Sequence, residues 1–355
     1  MNEYNIVNEN LHKVQKKILF NINFFFLNSK ENYICNQFIV SNWKKRLKIF
    51  NLNPIIKNII YLENKYFSKS VYKFDYWIRT LDHAKPFSFS DNENNQAFEF
   101  LEKSGLEKNQ KWVCIANRTH SHNLRIGTSD HFMERDSNRN FPINFFTTAV
   151  ERLIKEGYFI FRIGKFTEDR IEKKIQGYKD ISLENNTFND FIHCFLLANA
   201  EFSLLPSNGI TSIPMLYKNR KFAIVNNPQI LFRHMYYYKV DLPYLPKIAY
   251  NKSTGNPIHI RDYYNQKLFI DEKIENEEIQ RFLFKDNSKE DLDELINEIL
   301  KLSTKKYSIE ENKIKQNFLN NLKDILPSKY HNGLNLNYGT PSVKFLEQNS
   351  SVFLK

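Results

Sequence analysis

In the middle third of the chain, short apolar runs alternate with helical patterns, and this alternation limits what the chain can fold into. A helical pattern at residues 145–154 separates the first two runs. Strands that alternate with helices of this length are typical of βαβ units and a parallel sheet. Because the runs are continuously apolar, we expect strands that are buried on both faces. The runs occupy residues 112–115, 158–164 and 222–226, with a weaker one at residues 201–205.

The length of the chain predicts more than one domain, since 355 residues exceed what one ordinary hydrophobic core organises. The polar residues 85–97 predict a linker into a helix at residues 97–106. Ser288 and Asp291 form a capping-box pattern, and helices are expected from there to about residue 326. The predicted fold class is α/β, with an N-terminal α/β domain at residues 1–106, a Rossmann-like domain with a parallel sheet at residues 107–262, and a helical segment at residues 263–355.

Polar residues follow each predicted strand, and ligands of open α/β sheets bind outside the carboxyl ends of the strands. The turn of Ser207, Asn208 and Gly209 enters a short helix, whose free backbone N–H groups are a natural seat for a phosphate. An ordinary helix start, with Ser207 or Asn208 as its cap, fits the same residues equally well. The other candidates at strand ends are Arg118, Arg162 with Gly164 and Lys165, and Asn226 with Asn227.

The chain is basic, with a formal net charge of +11 and a pI near 9.2. An excess of positive charge favours binding to a nucleic acid, an anionic membrane surface or a phosphorylated ligand. The excess of lysine is spread along the whole chain, and no nucleic-acid recognition module of the usual kinds is visible. We therefore expect no nucleic-acid partner.

No metal site or disulfide is expected from the sequence. Cys35, Cys114 and Cys194 have neither metal-ligand nor redox spacing, which favours a reducing cytoplasm. His120 and His122 lie in a long polar loop at residues 119–140 and have no partner at ligand spacing. His193 lies within an apolar helical pattern, which favours a packed residue over a catalyst.

Several short motifs recur in an order that resembles a known family. The chain carries Arg118 three residues after the strand at residues 113–115, a pair at Arg139 and Asn140, and a Tyr-x-x-x-Arg-x-Gly pattern at residues 158–164. Then come Asn189 with Asp190, the turn at residues 207–209, Asn226, and Leu245-Pro246-Lys247. These motifs, with residues 338–342, resemble a family of uncharacterised bacterial glycosyltransferases of surface-polysaccharide loci.

The chain departs from that family around Arg118 and in the helix after Asp190. The family carries a histidine where this sequence has Ala116 and an aspartate where it has Thr119. An acidic position of the family is His193 here. The arginine itself is retained, and it is similar to the donor-phosphate arginine of fucosyltransferases with a His-x-Arg motif.

The resemblance implies a GT-B-like enzyme with two Rossmann-like domains facing a cleft, of which the N-terminal one is reduced or divergent. Such enzymes transfer a sugar from a nucleotide-sugar donor to a saccharide acceptor, without a metal or other cofactor. The acceptor is expected to be a saccharide, free or lipid-linked at the membrane surface. The expected location is the cytoplasm, including the inner face of the membrane.

The resemblance also implies roles for individual residues. Arg118 and the backbone of the turn at residues 207–209 would bind the donor phosphates, and Arg139, Arg162 and Lys247 would assist them. Asp190 would accept from sugar or nucleoside hydroxyls, and Asn226 would bind the base. The catalytic base is unknown, with Glu134 and Asp136 as weak candidates. The full donor-binding set is Arg118, Arg139, Asn140, Arg162, Gly164, Asp190, Ser207, Asn208, Gly209, Asn226 and Lys247.

Two other functions remain open on the sequence. The loss of the histidine and the aspartate beside Arg118 suits a catalytically degenerate protein that binds a sugar nucleotide or a glycan. A basic nucleic-acid-binding protein is supported by charge alone. A salt titration separates that second possibility, because binding to a phosphate backbone weakens steeply with salt.

Overall fold

A computed structural model describes residues 88–121, 137–165, 169–182, 187–217, 219, 221–228, 230, 240–263, 281–326 and 340–354. The chain divides into two compact units, one of residues 1–87 and 186–191 and the other of residues 88–185 and 192–355. The second unit starts earlier than the predicted boundary at residue 106 and continues past residue 262 to the end of the chain. The predicted elements within residues 1–87 and the loop residues 122–136 lie outside the described residues.

The second unit is built on a five-stranded parallel sheet with the strand order β3-β2-β1-β4-β5. The sequence prediction of a parallel sheet is confirmed, and this strand order is compatible with a Rossmann-like fold. Four of the strands coincide with the predicted apolar runs, whereas the short and polar β3 was missed. The strands are β1 Trp112–Ile115, β2 Phe159–Arg162, β3 Tyr178–Asp180, β4 Phe202–Leu205 and β5 Phe222–Ile224.

Helices flank the sheet and extend to the C-terminus. A short antiparallel pair, β6 Ile248–Asn251 and β7 Phe282–Lys285, was not predicted. A 3-10 turn at Ile143–Phe146 precedes the helix at Thr147–Lys155, and another 3-10 turn at Gly209–Thr211 precedes the helix at Ser212–Leu216. Within the described residues, the helices are α1 Asp91–Lys103, α2 Thr147–Lys155, α3 Thr187–Asn199, α4 Ser212–Leu216, α5 Ile260–Tyr263, α6 Lys289–Leu302, α7 Ile309–Ile325, α8 Val343–Gln348 and α9 Ser350–Phe353.

The C-terminal helices share one hydrophobic core with the sheet. Val113 and Leu204 from the strands, Leu153 from α2, Leu295 from α6 and Phe318 from α7 are all buried in the same cluster. This packing explains why residues 263–355, predicted as a separate helical segment, belong to the same unit as the strands. Apolar area removed from water contributes roughly 25 cal/mol per Å², so these helices and the sheet stabilise each other.

The predicted linker at residues 85–97 is wrong for its described part, because α1 begins at Asp91. The Ser90 side chain accepts from the backbone N–H of Glu93, and the Glu93 carboxylate accepts from the backbone N–H of Ser90. This capping box starts the helix, and the polar residues that follow form its exposed face. The capping box predicted at Ser288 is confirmed, with Asp291 as its partner at the start of α6.

In the described part of the chain, no helix is both long enough and apolar enough to cross a lipid bilayer.

Candidate functional site

The strand order places a topological switch point between β1 and β4. β1 pairs with β2 on one side and with β4 on the other, and the backbone N–H of Ala116 still donates to the carbonyl of Leu204, at 3.1 Å. Chain segments therefore leave this point of the sheet towards both sides, and ligands of open α/β sheets bind outside the carboxyl ends of the strands at such a point. Arg118 follows β1, and Ser207 follows β4.

The pair Arg139 and Asn140 joins the residues around this switch point. Arg139 Nη1 donates to the backbone carbonyl of Ser207 at 3.1 Å, and Arg118 Nη1 donates to Asn140 Oδ1 at 3.3 Å. Lys247 Nζ lies 3.4 Å from the backbone carbonyl of Asn140, to which it donates. The structure thus brings five predicted site residues together at the carboxyl edge. We call Arg118, Arg139, Asn140, Ser207 and Lys247 the edge cluster.

Lys247 is the most deeply buried cation of the edge cluster. Its side chain is 3% exposed, and its ammonium lies 2.5 Å from Oδ1 of Asp286, whose side chain is 52% exposed. Burial lowers the pKa of Lys247, and the Asp286 carboxylate opposes that shift. Asp286 is therefore the counter-ion of this buried lysine. The sequence offered one signal for Asp286, its position just before the capping box of α6.

The backbone around Lys247 is fixed from two sides. The N–H of Leu245 donates at 2.9 Å to the carbonyl of Ile224, the last residue of β5. On the other side, the backbone of Tyr244 pairs with Thr340 and Ser342, whose N–H donates to the Tyr244 carbonyl at 2.9 Å. The described residues of the motif at 338–342 therefore support the segment that carries Lys247.

Two polar atoms of the edge cluster are buried without a hydrogen-bond partner among the described residues. They are Nδ2 of Asn140 and Oγ of Ser207, and Ser207 is only 2% exposed. Buried polar groups in native proteins are nearly always hydrogen-bonded, to protein, water or a ligand. A donor amide and a hydroxyl beside three cations are suited to the oxygens of an anionic ligand.

The turn at residues 207–209 is closer to an ordinary helix start than to a strong phosphate seat. Asn208 Oδ1 accepts from the N–H of Ile210 at 3.0 Å, so Asn208 and not Ser207 caps the turn. The 3-10 turn and α4 are short, so the dipole they offer is small. Gly209 is exposed, and a Cβ added to it would meet open space. The cationic side chains are therefore the main attraction for an anion.

Asn226 takes part in a reciprocal pair with Asn287. Its N–H donates to Asn287 Oδ1 at 2.9 Å, and the N–H of Asn287 donates back to Asn226 Oδ1 at 2.8 Å. Asn287 Nδ2 also donates to the carbonyl of Pro246, next to Lys247. Asn226 adopts a φ of 54°, a left-handed conformation that asparagine tolerates better than most residues. The pair ties the end of β5 to the chain before α6, and Nδ2 of Asn226 is buried without a hydrogen-bond partner among the described residues. Sequence reasoning missed Asn287.

Arg162 and Gly164 are not part of the edge cluster. The Arg162 side chain is fully buried, and its guanidinium donates to Asp169, Asp180 and Asn117. Gly164 has a φ of 136°, which a residue with a Cβ rarely adopts, so a backbone requirement accounts for this glycine.

Asp190 and His193 lie on α3. Asp190 belongs to the unit that contains residues 1–87, and it is buried in the first turn of the helix. His193 is buried in the second unit with Nε2 3.4 Å from the carbonyl of Ile181. Burial lowers the pKa of His193 to about 4, so the imidazole is neutral near pH 7. A packed, uncharged residue agrees with the prediction for this position.

Among the described residues, no group of three or more His, Cys, Asp or Glu side chains could hold a metal ion. Cys114 and Cys194 are buried thiols, and burial raises the pKa of Cys114. The predicted weak candidates for a catalytic base, Glu134 and Asp136, lie outside the described residues.

Comparison with protein-family models, with curated proteins and with solved structures finds no match for this chain. The chemistry of the edge cluster is therefore the basis for a functional assignment. Two arginines and one lysine at a switch point, with buried polar atoms beside them, are suited to an anion of phosphate type.

Replacing Gly209 with alanine tests whether a ligand approaches the exposed turn. We expect the melting temperature to stay nearly unchanged, because the new methyl group meets open space and φ is not in the left-handed region. If pyrophosphate lies against this backbone, its affinity should fall about fivefold, which corresponds to ~1 kcal/mol. Calorimetric titration and thermal melting of both proteins give the two values. An unchanged affinity would show that the anion stays away from the turn.

Proposed function

We propose that this protein is a glycosyltransferase that moves a sugar from a nucleotide-sugar donor to a saccharide or glycan acceptor in surface-polysaccharide synthesis. One observation carries the proposal, the convergence of Arg118, Arg139 and Lys247 at the β1/β4 switch point of a parallel sheet. The location that suits this function is the cytoplasm, or the inner face of the membrane if the acceptor is lipid-linked.

The cations supply what a nucleotide-sugar donor requires. When the glycosidic bond to the donor breaks, negative charge develops on the leaving diphosphate, and fixed positive charge stabilises it. Arginine suits this task because its planar guanidinium binds two phosphate oxygens at once. In this proposal, Arg118 and Arg139 bind the phosphates through their guanidinium groups, and Lys247 adds a compact charge. Transfer in this proposal is metal-independent.

In the proposed architecture, the five-stranded sheet is the donor-binding half of a GT-B-like enzyme. The N-terminal residues form the acceptor half, reduced or divergent in comparison with other enzymes of this kind. Asn226 binds the nucleobase through its Nδ2 amide group, and Asn140 and Ser207 bind donor oxygens. In this proposal, Arg162 and Gly164 do not contact the donor. Their role is to stabilise the backbone near the site.

A second candidate function is binding of a sugar nucleotide without catalysis. It is favoured by Ala116, which is 1% exposed and offers only a methyl group where the resembling family has a histidine. Thr119, in place of the family's aspartate, donates to the hydroxyl of Ser121 at 3.3 Å. Neither residue can act as a base at the end of β1. The two functions share the donor site, and they differ in whether the sugar is transferred to an acceptor.

A thermal-shift screen against nucleoside diphosphate sugars and nucleoside monophosphate sugars tests the proposal. A ligand at a hundredfold excess over its Kd stabilises the folded state by about 2.7 kcal/mol, so the melting temperature should rise by several degrees. The shift should persist in EDTA, since donor binding needs no metal. Slow hydrolysis or transfer of the sugar then separates an enzyme from a binding protein. Absence of any shift, together with salt-sensitive binding to nucleic acid, would contradict the proposal.

Arg118→Lys tests the phosphate role of the arginine. The substitution keeps the charge and loses the planar fork, so donor affinity should fall roughly thirtyfold, or about 2 kcal/mol. Arg152→Lys is a matched control, since Arg152 donates to Asp293 and Asn297 of α6 and is not in the edge cluster. Donor affinity is measured by calorimetry on both variants. If Arg118→Lys lowers only the melting temperature, the arginine is structural.

Asp286→Asn tests whether Lys247 can serve the ligand. Without its carboxylate partner, the lysine is free to pair with phosphate, and the local charge rises by one unit. Pyrophosphate affinity should therefore increase roughly three- to tenfold. Glu151→Gln removes the carboxylate of an exposed ion pair with Lys173 and controls for net charge. A lower affinity in Asp286→Asn would mean that Asp286 is needed to hold Lys247 in place.

A further inference from the structure

The buried guanidinium of Arg162 forms the centre of a polar network beneath the carboxyl edge. Its Nη2 atom donates to Asp169 Oδ1 at 2.8 Å and to Asn117 Oδ1 at 2.9 Å. Its Nη1 atom donates to Asp180 Oδ2 at 2.9 Å and to the backbone carbonyl of Asp169 at 2.6 Å. The network therefore connects the ends of β1, β2 and β3 with the loop that follows β2.

The carboxylates of Asp169 and Asp180 differ in the hydrogen bonds that their second oxygen accepts. Asp169 Oδ2 accepts from the backbone N–H of Ile143 at 2.7 Å and from Asn117 Nδ2 at 2.8 Å. Among the described residues, Asp180 Oδ1 accepts from the backbone N–H and the hydroxyl of Ser182, two residues further along the chain. Both carboxylates neutralise Arg162, but among these contacts only Asp169 reaches the segment that follows Asn140.

The short segment of Phe141, Pro142 and Ile143 is held at three backbone positions. The N–H of Phe141 donates to the Arg118 carbonyl at 3.1 Å, and the Phe141 carbonyl accepts from Asn117 Nδ2 at 3.0 Å. The N–H of Ile143 donates to Asp169, as described above. Phe141 and Ile143 are also buried in the core. This segment begins one residue after Asn140, so its position sets where Arg139 and Asn140 lie.

We propose that Asp169 is the positioning residue of the edge cluster, fixing Arg139 and Asn140 on the carboxyl edge through Ile143 and Asn117. One carboxylate links the buried charge of Arg162 to the backbone that presents the anion-binding residues. A displaced Asn140 would lose its contacts with both Arg118 and Lys247. Asp169 itself does not touch the ligand. The inference rests on the proposed function for the identity of the ligand, but the positioning of the segment is independent of it.

The pair of variants Asp169→Asn and Asp180→Asn tests this inference. Each removes one carboxylate from Arg162, so both should lower the melting temperature. In Asp169→Asn, a single amide oxygen replaces two carboxylate oxygens and cannot serve both Arg162 and the segment at residues 141–143. Pyrophosphate affinity should fall about tenfold in Asp169→Asn and stay close to wild type in Asp180→Asn. Hydrogen exchange of the backbone amides of residues 139, 140, 141 and 143 should rise in Asp169→Asn alone.

A second pair of variants avoids any change to the ion pairs of Arg162. Ile143→Pro removes the N–H that Asp169 accepts, and the extended ψ of 152° at Pro142 is compatible with a proline after it. Ile143→Val keeps the N–H and controls for the changed side chain. Faster exchange at Asn140 and Phe141, with weaker pyrophosphate binding, is expected for Ile143→Pro only.

The outcomes separate this inference from the proposed function. If Asp169→Asn and Asp180→Asn change exchange in the segment equally, or neither changes it, Asp169 is not the positioning residue. If exchange follows the expected pattern but the wild-type protein binds neither pyrophosphate nor nucleotide sugars, the positioning stands and the proposed function falls. If the wild-type protein binds and both aspartate variants bind equally well, the inference falls and the proposed function stands.

Discussion

Neutralisation of the buried Arg162 guanidinium is the interaction on which the carboxyl edge of the sheet depends. A fully buried charge requires partners, and Asp169, Asp180 and Asn117 supply them from three different parts of the chain. Removing one partner of a buried ion pair typically costs about 3–5 kcal/mol, because the remaining charge is left uncompensated. The stability of the unit and the geometry of its edge are therefore set by the same few contacts.

The edge cluster is held from two sides. On one side, Asp169 and Asn117 fix the segment after Asn140; on the other, the reciprocal Asn226–Asn287 pair brings Asp286 to Lys247. These two anchors lie on opposite sides of the β1/β4 switch point, following β2 and β5 in the sheet order. Cations held in this way lose little conformational freedom when an anion binds, which favours binding through preorganisation.

Much of the fold could be predicted from the sequence, but the candidate site could be predicted only in part. Continuous apolar runs gave four strands of the sheet, and a capping-box pattern gave the start of α6. The polar start of α1 was mistaken for a linker because Ser90 and Glu93 initiate a helix that has few apolar residues in its first turns. Asp169, Asp286 and Asn287 were missed because isolated polar residues in loops belong to no periodic pattern.

The sequence by itself determined that strands and helices alternate, and hence that Arg118, Ser207 and Asn226 lie at one edge of a parallel sheet. Only the tertiary structure decided which arginine lies in the edge cluster and which is buried in the interior. Arg162 is the last residue of β2, between β1 and β3, where the sheet excludes water and two carboxylates approach. Arg118 lies beyond the end of β1 and remains partly exposed. The two side chains are chemically identical, so their roles follow from burial and from partners that only folding brings near.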